Sequence, residues 1–147
     1  LILRDSFQIE PICLELDEIN KRYLGKRGFE ICNELSIVGN EVDLIFSSNV
    51  LEHIEDDVSV LRDMKTQLKD GGKIFLYLPA KMLLWSKLDE EVGHYRRYEY
   101  SELIEKCKQV GLTIEKVHFA DSIGFFASLA MKVFGYNKNA GIGSVSS

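Results

Sequence analysis

The sequence lacks the features that would place it among secreted, disulfide-bonded or membrane proteins. Its three cysteines show no CxxC spacing, and each lies in an apolar or periodic stretch, as a small core residue would. The longest apolar stretch, 123–131, is far shorter than the roughly 20 residues that cross a bilayer. The first ten residues carry charges where a secretory signal needs an apolar core. We therefore expect a cytoplasmic protein without an integral membrane segment.

The sequence also lacks an excess of basic residues. Its 18 lysines and arginines stand against 23 acidic residues, and the resulting net charge of −5 repels a phosphate backbone. We predict that nucleic acid is not a partner.

A length of 147 residues suits one domain, which we place at 1–136. The glycine, serine and asparagine content of 137–147 predicts a flexible tail.

The spacing of apolar residues predicts strands that alternate with helices. The predicted strands are 11–16, 29–32, 42–47, 73–78 and 113–119. The predicted helices are 17–27, 55–69, a segment that includes 103–110, and 122–134. The near-continuous apolar run 42–47 is typical of a strand covered on both faces. This order predicts a three-layer α/β domain with a mainly parallel sheet, in which ligands bind beyond the carboxyl ends of the strands.

Two of these predicted strand ends carry polar residues suited to a ligand. Glu15 ends the first strand, where a carboxylate can accept hydrogen bonds from a ribose diol. A solvated acid at a strand end is an equally good interpretation. The run SSNVLEHIEDD, 47–57, follows the third strand and begins with small polar side chains that let a ligand approach the backbone. Its alternative is a loop that leads into a helix, with Glu52 and His53 as capping residues.

Two longer segments resemble a known family. The run DLIFSSNVLEHIEDDVSVLRDMKTQLKDGGKIFLYLP, 43–79, resembles the core of class I S-adenosylmethionine-dependent methyltransferases, especially bacterial members with the LEHI signature. The run LDEEVGHYRRYEYSELIEKCKQVGLTIEKVHF, 88–119, is similar to the same group, whose members often carry a GHxRRY loop. The resemblance covers 11 to about 135, and two separate motifs at the expected separation are more specific than either alone. It implies a Rossmann-like fold and S-adenosylmethionine as cofactor.

The resemblance implies roles for eight residues toward this cofactor. Glu15 would hold the ribose hydroxyls, and Leu16 would pack against the adenosine. Asn33 and Glu34 occupy the place where the family usually has an acid that binds the adenine amino group, and the asparagine departs from that pattern. The residues expected near the sulfonium are Ser47, Asn49 and Val50, with His53 at the edge of the same cleft.

The reaction itself suggests residues on the acceptor side. Methyl transfer from a sulfonium is a direct displacement, so positioning does most of the catalysis. An amine or hydroxyl acceptor also needs a route for its proton, and His53 and His94 are the candidates. We predict an acceptor pocket lined by Trp85, His94, Tyr95, Arg96, Arg97 and Tyr98. We predict no metal site.

Each of these acceptor-side assignments has a structural alternative. Arg96 and Arg97 would clamp a phosphate or carboxylate of the substrate, or would pair with acids and order the loop. The acids considered for such pairing are Glu90, Glu91 and Glu102. Trp85 and the preceding 82–84 would wall an apolar pocket, or form a plain packing cluster. His118, on the alternating segment 113–119, is expected to be a surface or packing residue.

The sequence does not contain the first strand and GxGxG turn that open such a domain in the family. Ten residues before Pro11 are too few for a strand, turn and helix, and the last antiparallel strand is not evident after Phe134. We therefore expect a domain that is incomplete at the N-terminus and also at the C-terminus. If this chain is the whole protein, it should bind S-adenosylmethionine weakly or not at all.

The leading hypothesis is a methyltransferase that acts on a small-molecule or a saccharide- or lipid-linked acceptor. The alternative is a degenerate or truncated, non-catalytic α/β interaction module that docks through the apolar helix 122–134. The same helix could pair with a second copy to form a homodimer. A nicotinamide dehydrogenase ranks last, because nothing in the sequence supplies residues for hydride transfer.

Overall fold

The structure is a computed structural model that describes residues 9–35 and 42–119. The described residues fall into two compact units, of which the first holds 9–35, 42–46 and 59–75 and the second holds 47–58 and 76–119. The predicted helix 122–134 and tail 137–147 lie outside the described residues, as does 1–8.

The first unit begins with a strand–helix–strand segment that matches the sequence prediction closely. Strand β1 is Ile12–Leu14, helix α1 is Glu18–Gly25 and strand β2 is Glu30–Cys32. Helix α1 begins where it does because the Asp17 carboxylate accepts the first free backbone N–H groups, at 2.9 Å. The two strands pair in parallel, which confirms the predicted orientation.

A second strand pair follows along the chain. Strand β3 is Val42–Ser48, helix α2 is Asp57–Gln67, and strand β4 is Leu68–Tyr77, which pairs with β3. Near their starts the strands are joined by the Lys69–Asp43 ion pair, at 3.1 Å. Just past their ends the backbone N–H of Asn49 donates to the carbonyl of Tyr77, at 2.9 Å. The two strands therefore run in the same direction.

The boundary between α2 and β4 differs from the prediction. The helix ends at Gln67, before the predicted 69, and the strand starts at Leu68 rather than at 73. Gly71 and Gly72, which follow the predicted helix 55–69, lie inside the strand. Gly71 has a φ of 79°, and a Cβ on Gly72 would stand 3.0 Å from the carbonyl oxygen of Val42. These glycines therefore allow a bend in β4 and its close approach to β3.

The prediction that 42–47 is covered on both faces is wrong in this structure. Leu44 and Phe46 on β3 are 56% and 62% exposed, and Phe75 on β4 is 52% exposed. The rings of Phe46 and Phe75 stack on each other with centroids 5.3 Å apart. An apolar run shows that a strand can be covered, but whether another element covers it is decided by the tertiary structure.

The second unit is built from short elements, two of which lie in 80–98, where the sequence predicts neither strand nor helix. It contains 3₁₀ helices at Leu51–His53 and Met82–Leu84, helix α3 at Lys87–Glu91 and helix α4 at Tyr100–Gln109. A parallel bridge joins Ala80 to Tyr98. Its buried apolar residues are Leu51, Leu84, Tyr98, Cys107 and Val110.

The predicted strand 113–119 is not formed. The segment has no regular secondary structure, because within 9–35 and 42–119 it has no strand to pair with, and alternation alone does not supply a partner. The described strands form two separate two-stranded sheets. The mixture of helices and short parallel strands fits a Rossmann-like fold, and the three-layer arrangement stays a prediction. None of the described helices is long and apolar enough to cross a membrane.

Candidate functional site

The carboxyl ends of β1 and β2 lie side by side in the first unit. Parallel pairing of Leu14 with Cys32 continues in a bond from the Glu15 N–H to the Cys32 carbonyl, at 3.3 Å. Glu15 therefore follows β1 at the same edge where Asn33 follows β2. The Glu15 Oε1 atom accepts the backbone N–H groups of Leu16 and Asp17, at 2.8 and 2.9 Å. These contacts fix the direction of the carboxylate at the strand end.

The neighbouring predicted cofactor residues of this edge are open to solvent. The Leu16 side chain is 73% exposed, and Asn33 and Glu34 are also exposed. An apolar side chain in that position gains free energy when a ligand surface covers it. The prediction that Leu16 packs on an adenosine is compatible with this exposure and stays a prediction.

In the second unit, β3 ends in a sharp turn. Asn49 has a positive φ of 50°, a conformation that asparagine tolerates better than most residues. Ser47, just before it, is 6% exposed, and its hydroxyl has no hydrogen-bond partner among the described residues. Val50 is 43% exposed. The turn thus presents one buried polar group and one exposed apolar side chain, as a ligand-binding rim does.

The LEHI motif forms the 3₁₀ helix that follows this turn. Leu51 and Glu52 are fully buried, whereas His53 is exposed. Neither carboxylate oxygen of Glu52 accepts a hydrogen bond from another residue in the part of the chain that the structure describes. Burial raises the pKa of Glu52, and its own backbone N–H and the neighbouring His94 and His53 offset part of this rise. A buried, unpartnered carboxylate is costly and asks for an explanation.

The GHYRRY loop is held by one buried carboxylate, that of Asp89 in α3. Asp89 accepts the Ser86 backbone N–H at 2.9 Å and the Arg97 Nε–H at 2.8 Å, and its Oδ1 lies 2.9 Å from His94 Nδ1. Burial alone would raise the pKa of Asp89, but these hydrogen bonds outweigh it and hold the pKa below its usual value. Asp89 is therefore an anion that fixes the ring of His94.

The two motifs meet in the second unit. The backbone N–H of Tyr95 donates to the Glu52 carbonyl, at 2.7 Å. The imidazole rings of His53 and His94 are in edge contact with centroids 4.6 Å apart. His94 Nε2 stands 4.0 Å from Glu52 Oε1. The structure thus brings together both predicted catalytic histidines and adds Glu52 to them.

A second buried carboxylate, Asp57 at the start of α2, holds the other arginine of the loop. Asp57 Oδ2 lies 2.6 Å from Arg96 Nη1, 2.7 Å from Lys106 Nζ and 2.8 Å from the Tyr98 hydroxyl. Arg96 also donates to the Glu55 carbonyl, at 2.7 Å. Tyr98 is 4% exposed, and burial raises the pKa of its hydroxyl, which stays protonated and donates.

Both arginines of the motif are thus paired within the protein. Their partners are Asp57 and Asp89, not the acids Glu90, Glu91 and Glu102 that the sequence suggested. The role of these arginines as a substrate clamp stays a prediction. Of the other predicted acceptor residues, Tyr95 is 55% exposed, and the Trp85 indole N–H donates to Glu90 at 3.4 Å.

The sequence interpretation missed the three acids that organise this region, Glu52, Asp57 and Asp89. A signal for one of them was present, because Ser86 and Asp89 have the spacing of a capping box, which the structure contains. The sequence analysis offered Glu52 only as a capping residue, and the inward direction of Glu52 and Asp57 had no signal, since inward-facing acids cannot be told from solvated ones by residue type.

The chain belongs to the methyltransferase domain family, whose model matches residues 6–117. The match covers both strand ends, the LEHI motif and the GHYRRY loop. No curated protein and no solved structure matches the chain significantly.

Proposed function

We propose that the protein is an S-adenosylmethionine-dependent methyltransferase that acts on a small-molecule or a saccharide- or lipid-linked acceptor. The observation that carries this proposal is the match of residues 6–117 to the methyltransferase domain family, together with the two polar strand ends that lie within it. The net charge of −5 favours an acceptor other than nucleic acid.

On the cofactor side, the proposal assigns Glu15 to the ribose hydroxyls and Leu16 to the adenosine. Asn33 and Glu34 take the adenine end. The side-by-side carboxyl ends of β1 and β2 support this assignment, because an adenosine could contact both. Near the sulfonium the proposal places Ser47, Asn49, Val50 and His53, and the exposure of the last three leaves this turn open to a ligand.

On the acceptor side, His94 or His53 takes the proton. Bound S-adenosylmethionine would supply the methyl group for an in-line displacement, with a neutral thioether as the leaving group. The acceptor's proton passes to an imidazole nitrogen. Because Asp89 fixes Nδ1 of His94, the Nε2 atom of that ring is the proton acceptor. Trp85, Tyr95, Arg96, Arg97 and Tyr98 are proposed to border the acceptor.

Glu15→Ala tests the cofactor side. Loss of a bidentate carboxylate–diol contact should weaken S-adenosylmethionine binding by about tenfold or more, since hydrogen bonds to a charged group contribute about 1.5–3 kcal/mol. Calorimetric titration of the full-length protein measures this affinity. Glu18→Ala is the matched control, because Glu18 is an exposed acid of α1 that pairs only locally with Lys21 at 2.8 Å.

Unchanged affinity in Glu15→Ala would remove Glu15 from the site. If the full-length protein neither binds S-adenosylmethionine nor transfers its labelled methyl group to any acceptor of the proposed classes, the proposal is wrong. The alternative, a non-catalytic interaction module, would then be favoured.

A further inference from the structure

Three potential metal ligands converge in the second unit. Glu52, His53 and His94 each offer one ligand atom, and these atoms lie within 4.8 Å of one another. Bonds from zinc to imidazole nitrogen or carboxylate oxygen are about 2.0–2.2 Å, so two ligands of a tetrahedral ion stand roughly 3.4 Å apart. Two small movements would reach that spacing. The exposed His53 side chain would rotate, and the 4.0 Å distance between Glu52 Oε1 and His94 Nε2 would shorten slightly.

The state of Glu52 gives an independent reason to expect a cation. Its side chain is 0% exposed, and within the described residues neither oxygen accepts a hydrogen bond from another residue. His94 Nε2 lies 4.0 Å from Glu52 Oε1. Because Asp89 Oδ1 lies 2.9 Å from His94 Nδ1, the Nε2 atom is the ring nitrogen that faces Glu52. A metal ion between Nε2 and the Glu52 carboxylate would bond both atoms, as a proton also would, and the titration below separates the two.

Asp89 completes an arrangement that metal sites commonly use. A histidine ligand usually donates its second ring N–H to a carboxylate, which fixes the tautomer and orients the ring toward the metal. Asp89 makes this contact with His94 at 2.9 Å and is itself held by Arg97 and Ser86. The ring of His94 is therefore preorganised with Nε2 directed to Glu52.

We propose that Glu52, His53 and His94 bind one divalent transition-metal ion, with Zn²⁺ as the reference case. Two imidazoles and one carboxylate suit Zn²⁺, Fe²⁺ or Mn²⁺ better than Ca²⁺ or Mg²⁺, which prefer oxygen ligands. Three protein ligands leave a coordination position for solvent or substrate, and His53 lies at the exposed side.

A use for this ion rests on the proposed function. A hydroxyl acceptor that coordinates a metal ion loses its proton more easily, so the ion would activate the methyl acceptor. In that case His53 and His94 hold the ion, and the proton passes to solvent rather than to an imidazole. Metal binding itself does not depend on that function, and the two can fail separately.

The experiment is a titration of the full-length, metal-stripped protein with Zn²⁺, followed by calorimetry and elemental analysis. We expect one ion per chain, and at least a tenfold loss of affinity in Glu52→Gln, His53→Ala and His94→Ala. His118→Ala is the control, because it removes the only other histidine, which is exposed and outside the cluster. Co²⁺ in place of Zn²⁺ should give visible ligand-field bands that Glu52→Gln changes.

Folding of each variant is checked by circular dichroism, and His53→Ala keeps the test valid even if a buried substitution unfolds the protein, because His53 is exposed. The proposal is overturned if the wild type binds no Zn²⁺, or if His53→Ala and a folded Glu52→Gln bind it unchanged. Retained S-adenosylmethionine binding in that case would leave the methyltransferase proposal standing, with Glu52 and His94 as a metal-free pair.

Discussion

At the residue scale, Asp57 is the side chain on which most of the GHYRRY loop depends. Its carboxylate is 2% exposed and is shared by Arg96, Tyr98 and Lys106. It is also the first residue of α2, where the helix dipole favours a negative charge. Removal of this charge would leave two partly buried cations and a buried hydroxyl without their common acceptor.

We predict that Asp57→Asn lowers the free energy of unfolding by about 3 kcal/mol, the usual cost of breaking a buried ion pair from one side. Urea unfolding at neutral pH measures the change. Asp63→Asn is the matched control on the same helix, because Asp63 is exposed, and it should change stability by less than about 0.5 kcal/mol. Equal losses of stability in the two variants would contradict the role of Asp57 as the shared partner of Arg96, Tyr98 and Lys106.

The stability difference between the wild type and Asp57→Asn should depend on pH. Burial alone would raise the pKa of Asp57, but the hydrogen bonds from Lys106, Arg96 and Tyr98 hold it below its usual value. A folded pKa below the unfolded value of about 3.9 stabilises the protein at pH values above it, and this stabilisation is lost as the pH falls through the folded pKa. The difference between wild type and Asp57→Asn should therefore shrink below about pH 4.

At the element scale, the pairing of β3 with β4 depends on a glycine. A Cβ on Gly72 would stand 3.0 Å from the carbonyl oxygens of Val42 and Lys69 and 3.2 Å from the Leu68 Cβ. Two of these three atoms belong to the backbone and cannot rotate away, so the strands would have to separate.

We predict that Gly72→Ala destabilises the protein by about 1–3 kcal/mol, the usual cost of overpacking. Gly25→Ala is the control, because a Cβ there meets only the Ile31 Cδ1 atom at an ordinary 3.7 Å and adds helix propensity to α1. Thermal unfolding measures the stability of both variants, and we expect a lower midpoint for Gly72→Ala than for Gly25→Ala. A neutral Gly72→Ala would show that the strands are not as close as the structure has them.

At the scale of the whole molecule, the charge balance limits its partners. The net charge is −5 and the isoelectric point is about 5.2, so the chain is acidic at neutral pH. We predict no binding of duplex DNA or single-stranded RNA at physiological salt, measured by fluorescence anisotropy of a labelled oligonucleotide. Micromolar binding that weakens steeply with added salt would contradict this prediction, because it would reveal phosphate contacts.

Much of the local structure was predictable from the sequence. The predicted helix 17–27 and the predicted segment that includes 103–110 match α1 and α4 within a few residues. These features depend on neighbours in sequence, such as a carboxylate that reaches a free N–H two or three residues later. The polar strand ends were found for the same reason.

Contacts between distant residues were decided only by the tertiary structure. The alternating segment 113–119 formed no strand, and Phe46 was left exposed, because a strand needs a partner and a cover that its own residues do not specify. Arg96 and Arg97 found Asp57 and Asp89, and Glu52 turned inward beside His94. The sequence by itself determined which groups carry charge and where helices begin, whereas burial and distance, which set the strength of each charge's interactions, arise only when the chain is folded.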